Sequence, residues 1–167
     1  LEYYDVTQEK MLVEQGEYRF SAGASSADIR QELECTVSGE VIPPRNLSHS
    51  ICIKNYDSKH GIETTLRFSY RKNDWYGCTN DWGGGFTFAD ADFAGYTKAE
   101  LWAAAPYSQA GVAIYAGEQQ LGSVEILPSR SMDDFQLYTI PLVPYTGQAD
   151  LRLEITGMAC VYRIQLG

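Results

Sequence analysis

Leu151-Arg152-Leu153-Glu154-Ile155-Thr156 alternates apolar and polar residues without a break. Side chains on a β-strand point alternately to opposite faces, so this stretch is a strand with one face buried and one in water. Working outward, the same period gives strands from Cys160 to Leu166, from Phe135 to Leu142, from Ser123 to Leu127 and from Val112 to Ala116. Ala116-Gly117-Glu118 and Tyr145-Thr146-Gly147 supply turn material between them. Short strands joined by regular turns describe a β-sandwich or barrel. The run Ala99-Glu100-Leu101-Trp102-Ala103-Ala104-Ala105 has a helix-forming composition, but Pro106 follows at once and seven residues make a poor isolated helix. A strand is expected there as well.

Composition agrees. Twelve Tyr, six Phe and three Trp make 13% of the 167 residues, and fifteen Gly accompany them. Rings suit half-buried pleated surfaces and glycine suits tight turns, which favours an all-β chain. Hydrophobic residues at 44% and charged residues at 21% are ordinary values for a folded protein. Thirteen Lys and Arg against twenty-two Asp and Glu leave a net charge of −9, so nucleic acid and anionic membranes are repelled rather than gathered. No apolar run approaches the roughly 20 residues of a membrane helix. Cys35, Cys52, Cys78 and Cys160 are widely spaced, without CxxC pairs, and His49 and His60 are the only histidines. This pattern argues against a zinc enzyme.

Near the start, Ser25-Ser26-Ala27-Asp28 has the form of a helix capping box. The longer pattern is a strand, because Ile29, Gln31, Leu33, Cys35 and Val37 alternate with Arg30, Glu32, Glu34 and Thr36. Pro43-Pro44 then interrupts any ladder. The expected organisation is a segment over 1–40, a linker over 41–47 and a domain over 48–167. The first, about 40 residues long, is marginal by itself.

Two resemblances follow from particular stretches. Tyr3-Tyr4-Asp5, Val13-Glu14-Gln15-Gly16-Glu17-Tyr18 and Gly23-Ala24-Ser25-Ser26-Ala27-Asp28-Ile29-Arg30 occur in an order similar to the end of the fibronectin type III-like domain of family 3 glycoside hydrolases, the β-glucosidase group. That resemblance implies a few strands of an incomplete domain, with catalytic domains upstream as intramolecular partners. From Ser50 onward the chain resembles family 6 carbohydrate-binding modules and their β-jelly-roll relatives in family 35. Ile51-Cys52-Ile53-Lys54-Asn55-Tyr56 stands at the opening strand, and Gly84-Gly85-Phe86-Thr87-Phe88-Ala89-Asp90-Ala91-Asp92-Phe93 at a later one. The fold implied is an all-β jelly-roll sandwich preceded by the incomplete segment. The function implied is non-catalytic binding of a neutral oligo- or polysaccharide, with an extracellular or cell-surface location. The alternative is a structural or oligomerisation jelly roll without sugar binding.

The family's opening strand carries two glutamates that help hold a structural calcium, at positions occupied here by Cys52 and Lys54. A thiol and an ammonium suit a hard cation poorly, so the resemblance implies that this calcium site is lost and that no cofactor is needed. The first and last strands adjoin in such folds, which leads to the expectation that Cys52 and Cys160 approach each other.

The stretch from Asn73 to Gly85 mixes rings, short polar side chains and glycines. Sugar recognition needs that mixture: a flat ring for the C–H face of a pyranose and polar groups for its hydroxyls. The expected binding residues are Trp75, Tyr76, Asn80 and Trp82 in one loop, with Phe135 as a second wall. Trp102 is a further candidate on the concave face. Asp90 with Asp92 and Asp133 with Asp134 are the paired carboxylates available for general acid/base work, but an acidic chain holds such pairs by chance. No catalytic residue is assigned. Asn46-Leu47-Ser48 is a formal glycosylation sequon. Exposed strand edges in the first segment would also permit self-association.

Overall fold

A computed structural model describes residues 1–6, 8–61 and 65–167. The chain forms two compact units, Leu1–Pro43 and Pro44–Gly167. The smaller holds β1 (Tyr3–Asp5), β2 (Lys10–Leu12), β3 (Gly16–Ser25) and β4 (Asp28–Val37). β1 pairs with β2, and β3 with β4, both antiparallel. The strand reading of Asp28–Val37 prevails over the capping box because each alternate residue finds a cross-strand neighbour. Tyr18 and Phe20 stand opposite Cys35 and Leu33 on one face. Arg19 and Ser21 stand opposite Glu34 and Glu32 on the other, where Arg19 donates to Glu34 at 2.8 Å and Ser21 to Glu32 at 3.2 Å.

The larger unit contains β5 (Arg45–Asn46), β6 (Ile51–Cys52), β7 (Ser58–His60), β8 (Thr65–Ser69), β9 (Asp74–Cys78), β10 (Gly84–Ala94), β11 (Lys98–Ala104) and β12 (Ala110–Ala116). It continues with β13 (Gln119–Ile126), β14 (Gln136–Pro141), β15 (Thr146–Thr156) and β16 (Cys160–Leu166). One sheet runs β13-β12-β15-β10-β5, with β7 also paired to β10. The other runs β14-β11-β16-β9-β8, with β6 also paired to β16. Ala99–Ala105 lies in β11 and its loop, so the strand reading holds there against the helix-forming composition.

The linker expected over 41–47 ends earlier. Arg45–Asn46 pairs parallel with β10, Leu47 is fully buried, and the Leu47 carbonyl accepts from the Leu166 amide at 2.9 Å. The two prolines remove donors only at their own positions, and the chain rejoins a ladder directly after them.

The core lies between the sheets. Phe86 and Phe88 on β10, Leu151 and Leu153 on β15, Ile114 on β12, and Leu101 and Ile164 on β11 and β16 are fully buried there. The alternation of Leu151-Arg152-Leu153-Glu154-Ile155 is therefore the core register, with Arg152 and Glu154 paired outside at 3.2 Å. Each buried large apolar side chain is worth about 1.5–3 kcal/mol of transfer free energy. Gly77 on β9 has no alternative residue: a Cβ there would stand 2.2 Å from the tip of the Phe86 ring.

The thiol expectation is corrected. Cys160 joins Cys78, not Cys52, in a disulfide with Cα atoms 4.2 Å apart. The ladder explains why: Cys160 is directly opposite Cys78, whereas Cys52 is opposite Arg163, three residues farther along β16. Cys52 remains a free, buried thiol. The disulfide closes a loop of 82 residues in sequence separation. Loop-closure entropy for that length is about 4.5 kcal/mol, and measured effects are typically about 2–4 kcal/mol. The double variant Cys78→Ser/Cys160→Ser is expected to lose stability of that order in urea titration. A loss below about 0.5 kcal/mol would show that the cross-link leaves the unfolded chain unconstrained.

Candidate functional site

Residues 74–78 form a strand rather than the loop expected from composition, and this separates the candidate rings. Gly77 faces Phe86 in the core, so Tyr76 and Cys78, its neighbours in sequence, point to the outer face of the sheet. Trp75 shares the side of Gly77 but lies past the core. It is 44% exposed and meets Phe68 edge-to-face at 5.6 Å, and Phe68 in turn meets Tyr70 at 5.4 Å. Trp82 sits in the tight turn beyond the other end of β9, 86% exposed. In that turn the Asn80 side-chain oxygen accepts the Trp82 amide and the Asn80 carbonyl accepts the Gly83 amide, each at 3.0 Å. Trp75 and Trp82 thus mark opposite ends of β9.

Tyr76 and Phe135 do come together, by direct contact. Tyr76 is only 5% exposed, and its ring meets that of Phe135 edge-to-face at 5.3 Å. Phe135 also stacks on Tyr162 at 5.4 Å with planes 24° apart. A pyranose in van der Waals contact with a ring on each side needs ring centres about 8 Å apart. Cys52, Tyr76, Cys78, Cys160 and Tyr162 form a small apolar cluster on this outer face, and Trp102, Met132 and Phe135 pack against it. Burial pushes the Tyr76 hydroxyl's pKa up, the Asp133 carboxylate adds to this, and Arg67 opposes it.

Beside this cluster is a groove of about 550 Å³ lined by Thr65, Arg67, Cys78, Thr79, Asn80, Asp81, Tyr107 and Met158. Arg67 is the cross-strand neighbour of Tyr76, and Thr65 that of Cys78, so the floor of the groove continues the outer face. Thr79 is buried and fixes one wall: its hydroxyl donates to the Gly157 carbonyl at 3.0 Å and accepts from the Ala159 amide at 3.1 Å. Tyr107 is 70% exposed. Reading the sequence for dense aromatic stretches misses Tyr107, Arg67 and Met158, because each comes from a different part of the chain. The Pro106-Tyr107-Ser108 turn, which places a ring just after a strand, is the one local signal for them.

Among the described residues lining the groove Asp81 is the one carboxylate. Asp90 and Asp92 lie on β10, in the other sheet, where the Asp90 amide donates to Asp150 at 3.2 Å. Asp133 and Asp134 accept bonds from Ser131 and the Arg130 amide within their own loop, and Asp133 accepts one more from Ser69 on β8. The Asp133 carboxyl is held below its usual range chiefly by the Ser131 hydroxyl, with burial opposing and Ser69 and Arg71 assisting.

At Cys52 and Lys54, where the resemblance led to the expectation of a lost calcium site, Lys54 bonds Asp74, Arg163 approaches the same carboxylate at 3.7 Å, and the Cys52 thiol lies 3.7 Å from it. Calcium takes about six to eight oxygen ligands. One carboxylate already engaged by two cations does not fit that requirement. Burial pushes the Asp74 carboxyl's pKa up, but Lys54, the Trp75 amide and Arg163 together bring it below its usual range.

No family model and no curated protein matches the chain. Solved structures do. A family 6 carbohydrate-binding module from Clostridium stercorarium in complex with cellobiose superposes with a TM-score of 0.69 at 18% identity, over 76% of this chain and 98% of that one. A β-1,3-glucan-binding family 6 module from Bacillus halodurans gives a TM-score of 0.62 at 18% identity, over 72% of this chain and 96% of that one. A family 43 arabinoxylan arabinofuranohydrolase from Bacillus subtilis, in complex with cellotetraose, gives 0.66 at 9% identity, over 87% of this chain and 32% of that one. The chain therefore carries the β-jelly-roll fold of the family 6 carbohydrate-binding modules.

Proposed function

We propose that the larger unit is a non-catalytic carbohydrate-binding module that takes neutral glycans into the groove beside Asn80, as an appendage of a glycoside hydrolase of the β-glucosidase type. The observation that carries this reading is the groove itself. Exposed rings stand by it, Tyr107 in the lining and Trp82 in the adjoining turn, and Thr65, Arg67 and Asp81 bring polar side chains to the lining. The ligands named for structures of the same fold, cellobiose and β-1,3-glucan among them, support the choice of substrate class. A net charge of −9 disfavours uronates and sulfated sugars. The segment similar to a fibronectin type III-like end supports the β-glucosidase context, and the disulfide suits an oxidising, extracellular setting. A structural jelly roll is the second reading, favoured by the contact of Tyr76 with Phe135.

Aromatic contacts contribute about 1 kcal/mol beyond area burial, and association costs consume much of the gross gain, so dissociation constants of roughly micromolar to millimolar are expected. Trp82→Ala and Tyr107→Ala should each weaken retention on neutral glucan or xylan affinity gels by about 5- to 30-fold, the equivalent of 1–2 kcal/mol. Their melting temperatures should be nearly unchanged, since exposed substitutions usually stay within about 0.5 kcal/mol. Unaltered retention of both variants, or none by the parent protein, would favour the structural role.

The proposed module also needs no calcium, because Lys54 and Arg163 supply the positive charge at Asp74. Its melting temperature at pH 7 should be the same with calcium or with a chelator, and a calcium-dependent rise of several degrees would contradict this. Asp74's pKa is lowered on folding, so its contribution is complete above the unfolded value of about 3.9 and is lost as pH falls through the folded one. Asp74→Asn should accordingly flatten the stability curve below about pH 4 while lowering stability at neutral pH. An unchanged acid limb would remove Asp74 from the account.

A further inference from the structure

Three rings stand on one side of the β8–β9 hairpin, beside its turn. Phe68 and Trp75 are directly opposite each other across the ladder, and their rings meet at 5.6 Å with planes 73° apart. Phe68 also meets Tyr70, two residues on, at 5.4 Å with planes 82° apart. This is the side of Gly77, and the groove residues Thr65, Arg67 and Cys78 belong to the opposite side of the same two strands. The rings and the groove are therefore separate surfaces.

Phe68 is 37% exposed, Trp75 44% and Tyr70 91%. Exposed rings are ordinary singly, but three in mutual contact form a patch. An aromatic side chain carries about 150–250 Å² of surface, so at these exposures the three present about 350 Å² to solvent. A standard protein interface takes about 800 Å² from each partner. The patch is too small for a second copy of the chain and has the size of a small ligand.

The spacing of the rings points to the ligand. Tyr70 follows Phe68 along the chain, whereas Trp75 faces it across the ladder, two directions roughly at right angles. Arms of 5.4 and 5.6 Å at that angle set the Tyr70 and Trp75 centres about 8 Å apart, the spacing a pyranose between two rings needs. The frame is fixed on both strands. Buried Ser69 donates to Asp133 at 3.2 Å and accepts the Lys72 amide at 3.3 Å, while Asp74 accepts the Trp75 amide at 2.8 Å and bonds Lys54. Walls held in this way cost little ordering on binding. The turn between them carries the exposed polar residues Arg71, Lys72 and Asn73.

We propose that Tyr70 and Trp75, with Phe68 closing the corner between them, form a second sugar-binding slot that holds one pyranose unit of a neutral glycan. The choice of ligand class rests on the carbohydrate-binding reading, whereas the place of the slot does not. Because slot and groove lie on opposite sides of the hairpin, short oligosaccharides fill them independently. An insoluble polysaccharide offers units to both, and linked engagement raises retention without strengthening either site.

The test follows the indole resonances of the three tryptophans in the nitrogen-15-labelled protein during titration with linear neutral β-glucan and xylan oligomers of about four units. The Trp75 signal should shift to saturation. In Tyr70→Ala, a substitution at an exposed residue that should leave the fold intact, the affinity read at Trp75 should fall by about tenfold while that read at Trp82 stays as in the parent. Retention of Tyr70→Ala on insoluble glucan or xylan should drop by a similar factor. A Trp75 signal that stays still while Trp82 responds overturns the slot and leaves groove binding intact. An equal Trp75 response in Tyr70→Ala and the parent overturns it as well, and so does a Trp75 signal that moves on dilution of the protein alone, which would assign the patch to self-association. Silence of both Trp75 and Trp82 with every oligomer overturns the functional reading, and the slot with it.

Discussion

The direction in which Gly77 faces governs the larger unit. Its missing side chain makes room for the Phe86 ring, a contact that fixes which side of β9 belongs to the core. Strand alternation then leaves no freedom: Tyr76 and Cys78 must point outward, toward β16's Tyr162 and Cys160. A one-residue slip would drive Tyr76 into the core and break the Cys78–Cys160 opposition at the same time. Hydrophobic packing, the cross-link and the aromatic surface are thus three consequences of one register.

That register creates a second apolar cluster, on the face of a sheet that antiparallel folds more often leave to water. The disulfide, Tyr76 and Tyr162 form its base, and Phe135, Met132 and Trp102 its cover. Arg163 lies over the Tyr162 ring at 4.7 Å and reaches Asp74 at 3.7 Å, so charge extends the cluster to the edge where Lys54 also binds Asp74. Rings spent in this way stabilise the sheet and are removed from solvent. The part of the face that the cover does not reach is the groove, and there the polar side chains gather.

The two units differ in how they resolve the cost of exposed strands. In the larger, each sheet lays its apolar face on the other. The β3–β4 hairpin has the same alternation, with Tyr18, Phe20, Leu33 and Cys35 on one side and ion-paired groups on the other, yet most of its residues are exposed. Two strands bury too little to offset chain entropy by themselves.

The sequence by itself determined the strands. Leu151 to Thr156, Ile29 to Val37 and the run from Ala99 to Ala105 are all legible as strands, because the period of two is a local property of a pleated chain. The jelly roll was legible from the order of those strands and their resemblance to a known arrangement. Tertiary structure decided everything that depends on pairing between distant strands. Cys160 chose Cys78 over Cys52 because ladder register places one opposite and the other three residues away. Trp75, Tyr76 and Trp82, neighbours in sequence, went to three different places because residues 74–78 extend as a strand instead of curling into a loop. The groove joins Arg67, Asn80, Tyr107 and Met158 from four segments, and no local pattern encodes such a meeting, since it follows from packing two sheets and closing their loops at one end.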